Sequence, residues 1–263
     1  MRDRTPDVRD DRAARRVEEA GLNALQTERQ LFYDGWLLRL SPGKAKRARS
    51  VTAHFASSLP LEEKIAYCEQ VYARHELPVL FRLTPFAHPQ DLETVLRARG
   101  YVPFEETLVQ VAPLHAPPEC PAIAEDARVE SVDAVAFAHA AAALRSSSPK
   151  QLEAHLARLA NSPLEARHVV VHAEDRVVTT AQIACEGDLA GIFDVVTAAD
   201  ARGRGYATAA VARLVMWAWE RAVATMYLQV NASNAAALAI YRKFGFSTLY
   251  SYHYCALPRD VEA

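Results

Sequence analysis

The sequence predicts an α/β protein with a mixed sheet and helices on both faces of that sheet. The first observation is the alternation of strand and helix patterns between residues 128 and 257. The second is the junction at Gly203 and Gly205, where a β-branched run leads through a glycine turn directly into a helix with one apolar face. The third is a weak internal repeat, in which residues 50–113 resemble the residues 145 positions further along the chain.

Caps and turns place the elements of the second half. Asp133 caps an alanine-rich helix that follows a short strand, and Ser148-Pro149 opens the next helix. Gly245 is expected just beyond the last helix, where a left-handed residue is favoured. The predicted strands are 128–132, 166–172, 177–185, 192–197, 226–230 and 246–257, and the predicted helices are 134–144, 149–160, 207–223 and 234–244.

The first half repeats this plan in a degenerate form. Val51-Thr52 aligns with Val196-Thr197, and a helix predicted over residues 61–75 aligns with the helix after the glycine turn. Four prolines between residues 112 and 121 predict a stiff linker, because proline removes backbone donors from helices and sheets. We therefore expect a flexible arm (1–16), a degenerate domain (17–111), a proline-rich linker (112–126) and a second domain (127–258).

Composition narrows the class of protein. The chain has 30 lysines and arginines against 32 aspartates and glutamates, which argues against a nucleic-acid partner. It has no apolar run of about 18 residues and no signal-peptide pattern at its start, so we expect a cytoplasmic protein that does not bind membranes. The cysteines lack the paired spacing of a zinc site, so we expect no metal and buried, reduced thiols at Cys68, Cys120, Cys185 and Cys255.

The glycine turn predicts a binding site for a pyrophosphate. Gly203 and Gly205 permit positive φ, so successive backbone amides can converge on one concavity. The first turn of the following helix adds unpaired N–H groups and the positive end of its dipole. The equivalent segment of the first half, Ser57–Leu61, has no glycine and contains Pro60, so we expect this site in the second half alone.

A second motif lies downstream and makes the prediction specific. It runs from Asn234 through Ala237 and Tyr241 to Gly245-Phe246. Together with Arg202-x-x-Gly205-x-Ala207, it resembles the acetyl-coenzyme A loop and the following helix of the GNAT superfamily of N-acetyltransferases. The resemblance covers about residues 127–257 and implies a GNAT-like acyltransferase fold there. The first half resembles the superfamily only as a degenerate copy, which implies a tandem arrangement.

The resemblance implies a role for each matching residue. The strand before the loop would offer backbone groups to the pantetheine arm of acetyl-CoA, the loop would hold the pyrophosphate with charge from Arg202 and Arg204, and Asn234 would bind the coenzyme A arm. Tyr241 would be the acid that protonates the leaving thiolate. The implied strand and loop residues are Val195, Val196, Thr197, Gly203, Arg204, Gly205, Tyr206, Ala207 and Thr208.

The general base is harder to assign. A glutamate that family members often use on the strand before Asn234 corresponds here to Gln229, which cannot accept a proton. Asp194 is the predicted substitute, because it lies on the strand expected to hold the thioester. Two alternatives stay open: Asp194 is a structural or substrate-anchoring carboxylate, or water removes the amine proton.

Two further clusters receive plainer predictions. Tyr250, Tyr252 and Tyr254 alternate along the last strand and are expected in the core, with an acceptor pocket as the alternative. The basic residues that follow Gly43 are expected to form a solvated loop, with an anion site as the alternative; they are Lys44, Lys46, Arg47 and Arg49.

The leading hypothesis is an N-acetyltransferase that moves the acetyl group of acetyl-CoA directly to a primary amine in a ternary complex. The acceptor would be a small molecule or a peptide, and the protein a monomer or a homodimer. Two alternatives stay open: transfer of a different acyl group, and a catalytically silent acyl-CoA sensor or interaction module.

Overall fold

The computed structural model describes residues 8–119, 121–125 and 127–261. Of the predicted buried thiols, Cys68 and Cys255 are free and buried, Cys185 is free but only partly buried, and Cys120 lies outside the described residues. In the described ranges the α-helices are α1 (Val8–Asn23), α2 (Leu61–Arg74), α3 (Leu92–Ala98), α4 (Ala134–Arg145), α5 (Pro149–Ala160), α6 (Tyr206–Trp219) and α7 (Ala235–Lys243). The strands are β1 (Gln30–Tyr33), β2 (Trp36–Arg39), β3 (Val51–Thr52), β4 (Phe81–Leu83), β5 (Val102–Pro113), β6 (Arg128–Val132), β7 (Glu165–Ala173), β8 (Arg176–Glu186), β9 (Leu189–Thr197), β10 (Thr225–Asn231) and β11 (Ser247–Ala256).

These strands form one sheet in the order β1-β2-β3-β4-β11-β5-β10-β9-β8-β7-β6. The pairs β3–β4 and β9–β10 are parallel, and the other neighbours are antiparallel. The predicted mixed α/β fold is therefore confirmed. The predicted caps are also present: the Asp133 carboxylate accepts from the Ala136 amide, and Ser148 forms a capping box with Gln151.

The internal repeat is visible in the order and the bounds of the elements. Helix α2 begins at Leu61 and ends at Arg74, and α6 begins and ends 145 positions later, at Tyr206 and Trp219. Strands β5 and β11 begin at the same separation. In each half the strand before this helix runs parallel to the strand after it. The two halves thus share one βαβ plan, although few residues are identical.

The two halves exchange their last strands. Strand β5 belongs to the first half but lies between β10 and β11, and β11 belongs to the second half but lies between β4 and β5. At the ends of their pairing, Val102 lies opposite Ala256 and Val111 lies opposite Ser247. The antiparallel β5–β11 pair therefore joins the halves across a local pseudo-two-fold axis. The predicted boundary between residues 111 and 112 falls inside β5, which continues to Pro113.

Helix α1 covers the middle of the sheet, where the halves meet. It begins at Val8, so residues 8–16 of the predicted arm are helical in the structure. Its buried face, represented by Ala14 and Val17, shares an apolar cluster with Val109 of β5 and Tyr250 of β11. Two other apolar clusters lie further out, one around α2 and α3 and the other around α6 and α7. Among the described residues, no helix has the length and apolar character to cross a bilayer.

Candidate active site

A wedge between β9 and β10 forms the floor of the site. The parallel pairing of these strands ends at Ile192 opposite Leu228, although β9 continues to Thr197 and β10 continues to Asn231. On its other side β9 stays paired with β8, with a register shift at Asp194, whose φ is +53°. The edge of β9 beyond Ile192 therefore faces an opening that an extended ligand can enter as an added strand.

The predicted loop lies at the wide end of this wedge. Gly203 and Gly205 have φ of +78° and +84°, and a Cβ at either position would have open space around it. Residues 202–205 are exposed, and α6 begins at Tyr206, so the amides of its first turn have no preceding helical turn to accept their hydrogen bonds. Arg204 lies 3.5 Å from the Glu174 carboxylate on the neighbouring hairpin. A glycine turn that leads into a helix N-terminus is compatible with a phosphate group, so this loop stays the predicted pyrophosphate site.

Helix α7 brings the second motif to the same cleft. Asn234 is the N-cap of α7, and its Oδ1 accepts from the Ala237 amide at 3.1 Å. Two turns later Tyr241 is 7% exposed and packs on Phe246, with ring centres 5.9 Å apart. Burial raises the pKa of the Tyr241 phenol to about 12, so the hydroxyl holds its proton at neutral pH.

Asp194 is the centre of a partly buried ionic network. Its carboxylate accepts from Arg145 at 2.7 Å, from Arg158 at 3.0 Å and from Gln182 at 2.6 Å. Burial alone would raise the pKa of Asp194, but the charges and hydrogen bonds around it outweigh burial and hold that pKa well below its usual range. Such a carboxylate is a weak proton acceptor at neutral pH. Its negative charge also balances the positive charges of Arg145 and Arg158.

Gln229, which stands where the family often has a glutamate, makes a neutral hydrogen bond. The Tyr252 hydroxyl donates to its Oε1 at 2.9 Å. The Tyr252 ring also lies under the guanidinium of Arg82, at 3.7 Å from the ring centre. Tyr250, Tyr252 and Tyr254 are all buried, as predicted for core residues, and the last two also line the cleft. These tyrosines are therefore core residues, and two of them also line the cleft.

The cleft has a volume of about 410 Å³ and combines residues from both halves of the chain. The second half contributes Asp194, Val195, Asn234 and Tyr241, which the sequence analysis had singled out. The remaining predicted residues follow in chain order: Val196 and Thr197 end β9, residues 202–205 form the exposed loop, and residues 206–208 form the first turn of α6, where Tyr206 is buried. The described residues hold no group of three or more metal-ligating side chains.

The first half contributes one wall of the cleft, formed by the basic segment after Gly43 that was predicted to be a solvated loop. Lys44 donates to the carbonyl oxygen of Arg145 at 2.5 Å, which fixes this loop to the end of α4. Lys46 pairs with Glu105 of β5 at 2.7 Å, and Glu105 adopts φ of +52°. Arg47 lies 5.7 Å from the centre of the Phe193 ring. The cluster of basic residues after Gly43 was the one sequence signal for this wall. The neighbouring residues do not indicate that the loop faces the other half of the chain.

Comparison with known proteins now identifies the second half. Residues 135–246 match the sequence profile of the acetyltransferase (GNAT) family. This part of the chain is a GNAT acetyltransferase domain. The GNAT domain contains the splayed strands, the loop and the Asn234–Tyr241 helix described above, and the family uses acetyl-CoA as its co-substrate.

Two known proteins are similar to this chain in sequence. The uncharacterized N-acetyltransferase YobR of Bacillus subtilis is 25% identical over 227 residues, which cover 83% of this chain and 88% of that protein. The [ribosomal protein bS18]-alanine N-acetyltransferase of Escherichia coli is 38% identical over 60 residues, which cover 23% of this chain and 40% of that protein. The match to the first relative extends over both halves of the chain, whereas the match to the second covers less than a quarter of it.

Two solved structures share the fold. A GCN5-related N-acetyltransferase from Kribbella flavida superposes with a TM-score of 0.66 at 14% identity and covers 97% of each chain. A tandem GNAT protein from the clavulanic acid biosynthesis pathway superposes with a TM-score of 0.59 at 13% identity, over 74% of this chain and 68% of that one. The GNAT fold seen here, with its additional first half, is therefore shared by proteins of very different sequence.

Proposed function

We propose that this protein is an N-acetyltransferase that transfers the acetyl group of acetyl-CoA directly to a primary amine. The observation that carries the proposal is the opening between β9 and β10, which has an exposed glycine loop and the start of α6 at one end and Tyr241 on its wall. The first half has a proline and no glycine at the equivalent of this loop. The chain would thus have one donor site, in the second of two GNAT-like units.

The chain's own residues account for donor binding. Val195, Val196 and Thr197 present a strand edge to the pantetheine arm, and the amides of residues 203–208 together with Arg202 and Arg204 surround the pyrophosphate. Asn234 binds the same arm from the start of α7. A thioester held in this way supplies an activated acetyl group, so no covalent intermediate on the protein is required.

Two steps of the transfer fall to groups of the cleft. A backbone N–H near Val196 donates to the carbonyl oxygen as negative charge develops on it. The Tyr241 phenol, whose pKa is about 12, gives its proton to the departing thiolate. A ternary complex is required, because amine and thioester must lie within about 3 to 3.5 Å of each other before the bond forms.

Asp194 is better suited to positioning than to proton transfer. Its pKa is held well below its usual range, and its oxygens already accept from three side chains. We therefore favour a structural role for this residue, in which it holds Arg145 at the wall of the cleft and also pairs with Arg158. The proton of the amine then passes to water in the cleft.

Calorimetry and a thiol-release assay test this function. We expect the full-length protein to bind acetyl-CoA and to release free thiol when a suitable amine is added. Absence of acetyl-CoA binding would refute the proposal. Binding without thiol release from any amine would favour the silent sensor, and release from a longer acyl-CoA but not from acetyl-CoA would favour transfer of another acyl group.

The bS18-alanine N-acetyltransferase does not by itself assign an acceptor here. Its similarity spans 23% of this chain and 40% of that protein, whereas the cleft here also includes Lys44, Lys46 and Arg47 of the first half. The chemical class of the acceptor must therefore be inferred from the residues that line the cleft.

A further inference from the structure

The acceptor end of the cleft can be located from the direction of β9. The phosphate loop follows the carboxyl end of β9, and Asp194 and Val195 line the cleft at the middle of the wedge. Phe193 comes one residue earlier on β9 and carries Arg47 over its ring. Arg47 thus lies at the end of the cleft away from the loop, where the donor's phosphates are not expected.

Arg47 is a cation without a protein counterion at this end. Its Nη1 is shielded from solvent and has no hydrogen-bond partner in the described part of the chain. None of the ion pairs found among those residues includes Arg47. A shielded guanidinium donor that stays unpaired is costly, so the site favours a ligand that supplies an acceptor.

The surrounding charges strengthen this preference for an anion. The cleft is lined by four cationic side chains, Lys44, Lys46, Arg47 and Arg145, and by two anionic ones, Glu105 and Asp194. Both carboxylates are already used, Glu105 by Lys46 and Asp194 by Arg145. Nearby, burial lowers the pKa of Arg39 to about 10, and the positive charges of Arg82 and Arg47 add to this shift.

On the basis of the proposed function, we infer that the acceptor is a small amine that also carries an oxyanion, a carboxylate or a phosphate, and that this oxyanion pairs with Arg47. A guanidinium presents two parallel N–H donors that match a carboxylate or a phosphate. A cleft of about 410 Å³ is of a size that suits a small molecule. With its oxyanion on Arg47, the acceptor's amine can point along the cleft toward Val195.

Matched amines test this inference on the full-length protein. The pairs are arginine against agmatine, tyrosine against tyramine, and O-phosphoethanolamine against ethanolamine, with thiol release from acetyl-CoA as the readout. We expect kcat/KM to favour the oxyanion-bearing member of a pair by roughly 10- to 100-fold. The first two pairs report on a carboxylate, and the third reports on a phosphate.

Variants at Arg47 assign the preference to this residue. Arg47→Gln is expected to abolish most of the preference while leaving the Kd for acetyl-CoA unchanged, and Arg47→Lys is expected to retain part of it. Arg128→Ala, which removes a 60% exposed arginine on the outer strand β6, is the matched control and should change neither quantity.

Each result decides between the two proposals. Equal rates for both members of every pair, or equally rapid acetylation of an amidated peptide without acidic side chains, would overturn the inference and leave the N-acetyltransferase intact. If Arg47→Gln weakened acetyl-CoA binding as much as it weakened the preference for oxyanion-bearing amines, Arg47 would belong to the acetyl-CoA site. That result would also overturn the inference. Failure of the wild-type protein to bind acetyl-CoA at all would instead refute the proposed function.

Discussion

Glu18 of α1 and Arg82 of β4 form an ion pair in which each side chain is only 1% exposed. A second hydrogen bond joins Arg82 Nη2 to Glu18 Oε2 at 2.9 Å, and the Tyr250 hydroxyl donates to the same oxygen at 2.6 Å. Because Tyr250 belongs to β11, this pair ties α1 to strands from both halves of the chain.

Removal of one partner from this pair should destabilise the protein strongly. Arg82→Met leaves the Glu18 charge buried and unpaired, and we expect a loss of about 3 to 5 kcal/mol in the free energy of unfolding. The double variant Glu18→Gln with Arg82→Met is the control and should recover part of that loss. Urea denaturation measures both. Equal stability of Arg82→Met and the wild type would mean that the pair contributes nothing.

The same pair predicts a dependence of stability on pH. Burial raises the pKa of Glu18, but Arg82 and Tyr250 outweigh burial and lower it below the ordinary value. The contribution of Glu18 is therefore complete above the unfolded-state pKa, about 4.3, and is lost as pH falls through the folded-state pKa. Urea denaturation between pH 3 and 7 should show this decline in the wild type, and the double variant should lack the part due to Glu18.

Two glycine substitutions, one in the proposed phosphate-binding loop and one outside it in the first half, separate backbone strain from ligand binding. Gly205 and Gly100 have φ of +84° and +86°, and a Cβ would meet no atom within 4 Å at either position. Alanine should therefore cost a similar amount at both, about 1 to 2 kcal/mol of stability. We expect Gly205→Ala alone to weaken acetyl-CoA binding, roughly tenfold by calorimetry. Similar affinities in both variants would remove the loop from the donor site.

Tyr241→Phe should lower kcat by roughly 100-fold, since the departing thiolate loses its proton donor, while the Kd for acetyl-CoA stays unchanged. Tyr254→Phe, also in the cleft and without an assigned role, is the control and should behave like the wild type. Because the pKa of Tyr241 is about 12, this residue should cause no fall in wild-type kcat up to pH 10. A parallel loss of kcat and affinity in Tyr241→Phe would instead indicate a packing role.

The features that were predictable from the sequence are those set by neighbouring residues. The caps Asp133 and Ser148, the left-handed Gly245 and the glycine loop depend on a few consecutive side chains, and each is found where the pattern places it. The periodic apolar patterns also gave the strands and helices of the second half to within a few residues, although α6 ends at Trp219, before the predicted residue 223.

The features that were not predictable are contacts between distant segments. Strand β5 shows the same local pattern whether it pairs within its own half or with β10, so the exchange of last strands leaves no local trace. From sequence alone, a charged residue such as Glu18 or Arg47 is expected at the surface, because its ion-pair partner or its position in the cleft is not known. The surroundings of both residues are set by other elements or by the other half of the chain, and these contacts cannot be predicted from neighbouring residues.

Asp194→Asn should separate an anchoring role from that of a base. The folded-state pKa of Asp194 lies well below its usual range, so Asp194 stays ionised from pH 5 to 9 and produces no inflection there. We expect the variant to lose roughly 3 kcal/mol of stability, because Arg145 and Arg158 lose their counterion, while its residual activity keeps the pH dependence of the wild type. Asp188→Asn, at an exposed carboxylate paired with Arg16, is the control. Disappearance of the ascending limb of the pH profile in Asp194→Asn alone would restore Asp194 as the base.

The exchanged strands predict that the GNAT domain will not fold when it is cut from the first half. A fragment of residues 127–263 lacks β5, so β10 and β11 lose the strand that lies between them and expose unpaired edges. We expect this fragment to aggregate or to unfold without cooperativity, as seen by gel filtration and thermal denaturation. The control is the full chain with a protease site inserted between His115 and Pro121; after cleavage it should stay assembled, because β5 remains paired with both neighbours. A monomeric fragment 127–263 with cooperative unfolding would show that the second half can close its sheet without the exchanged strand.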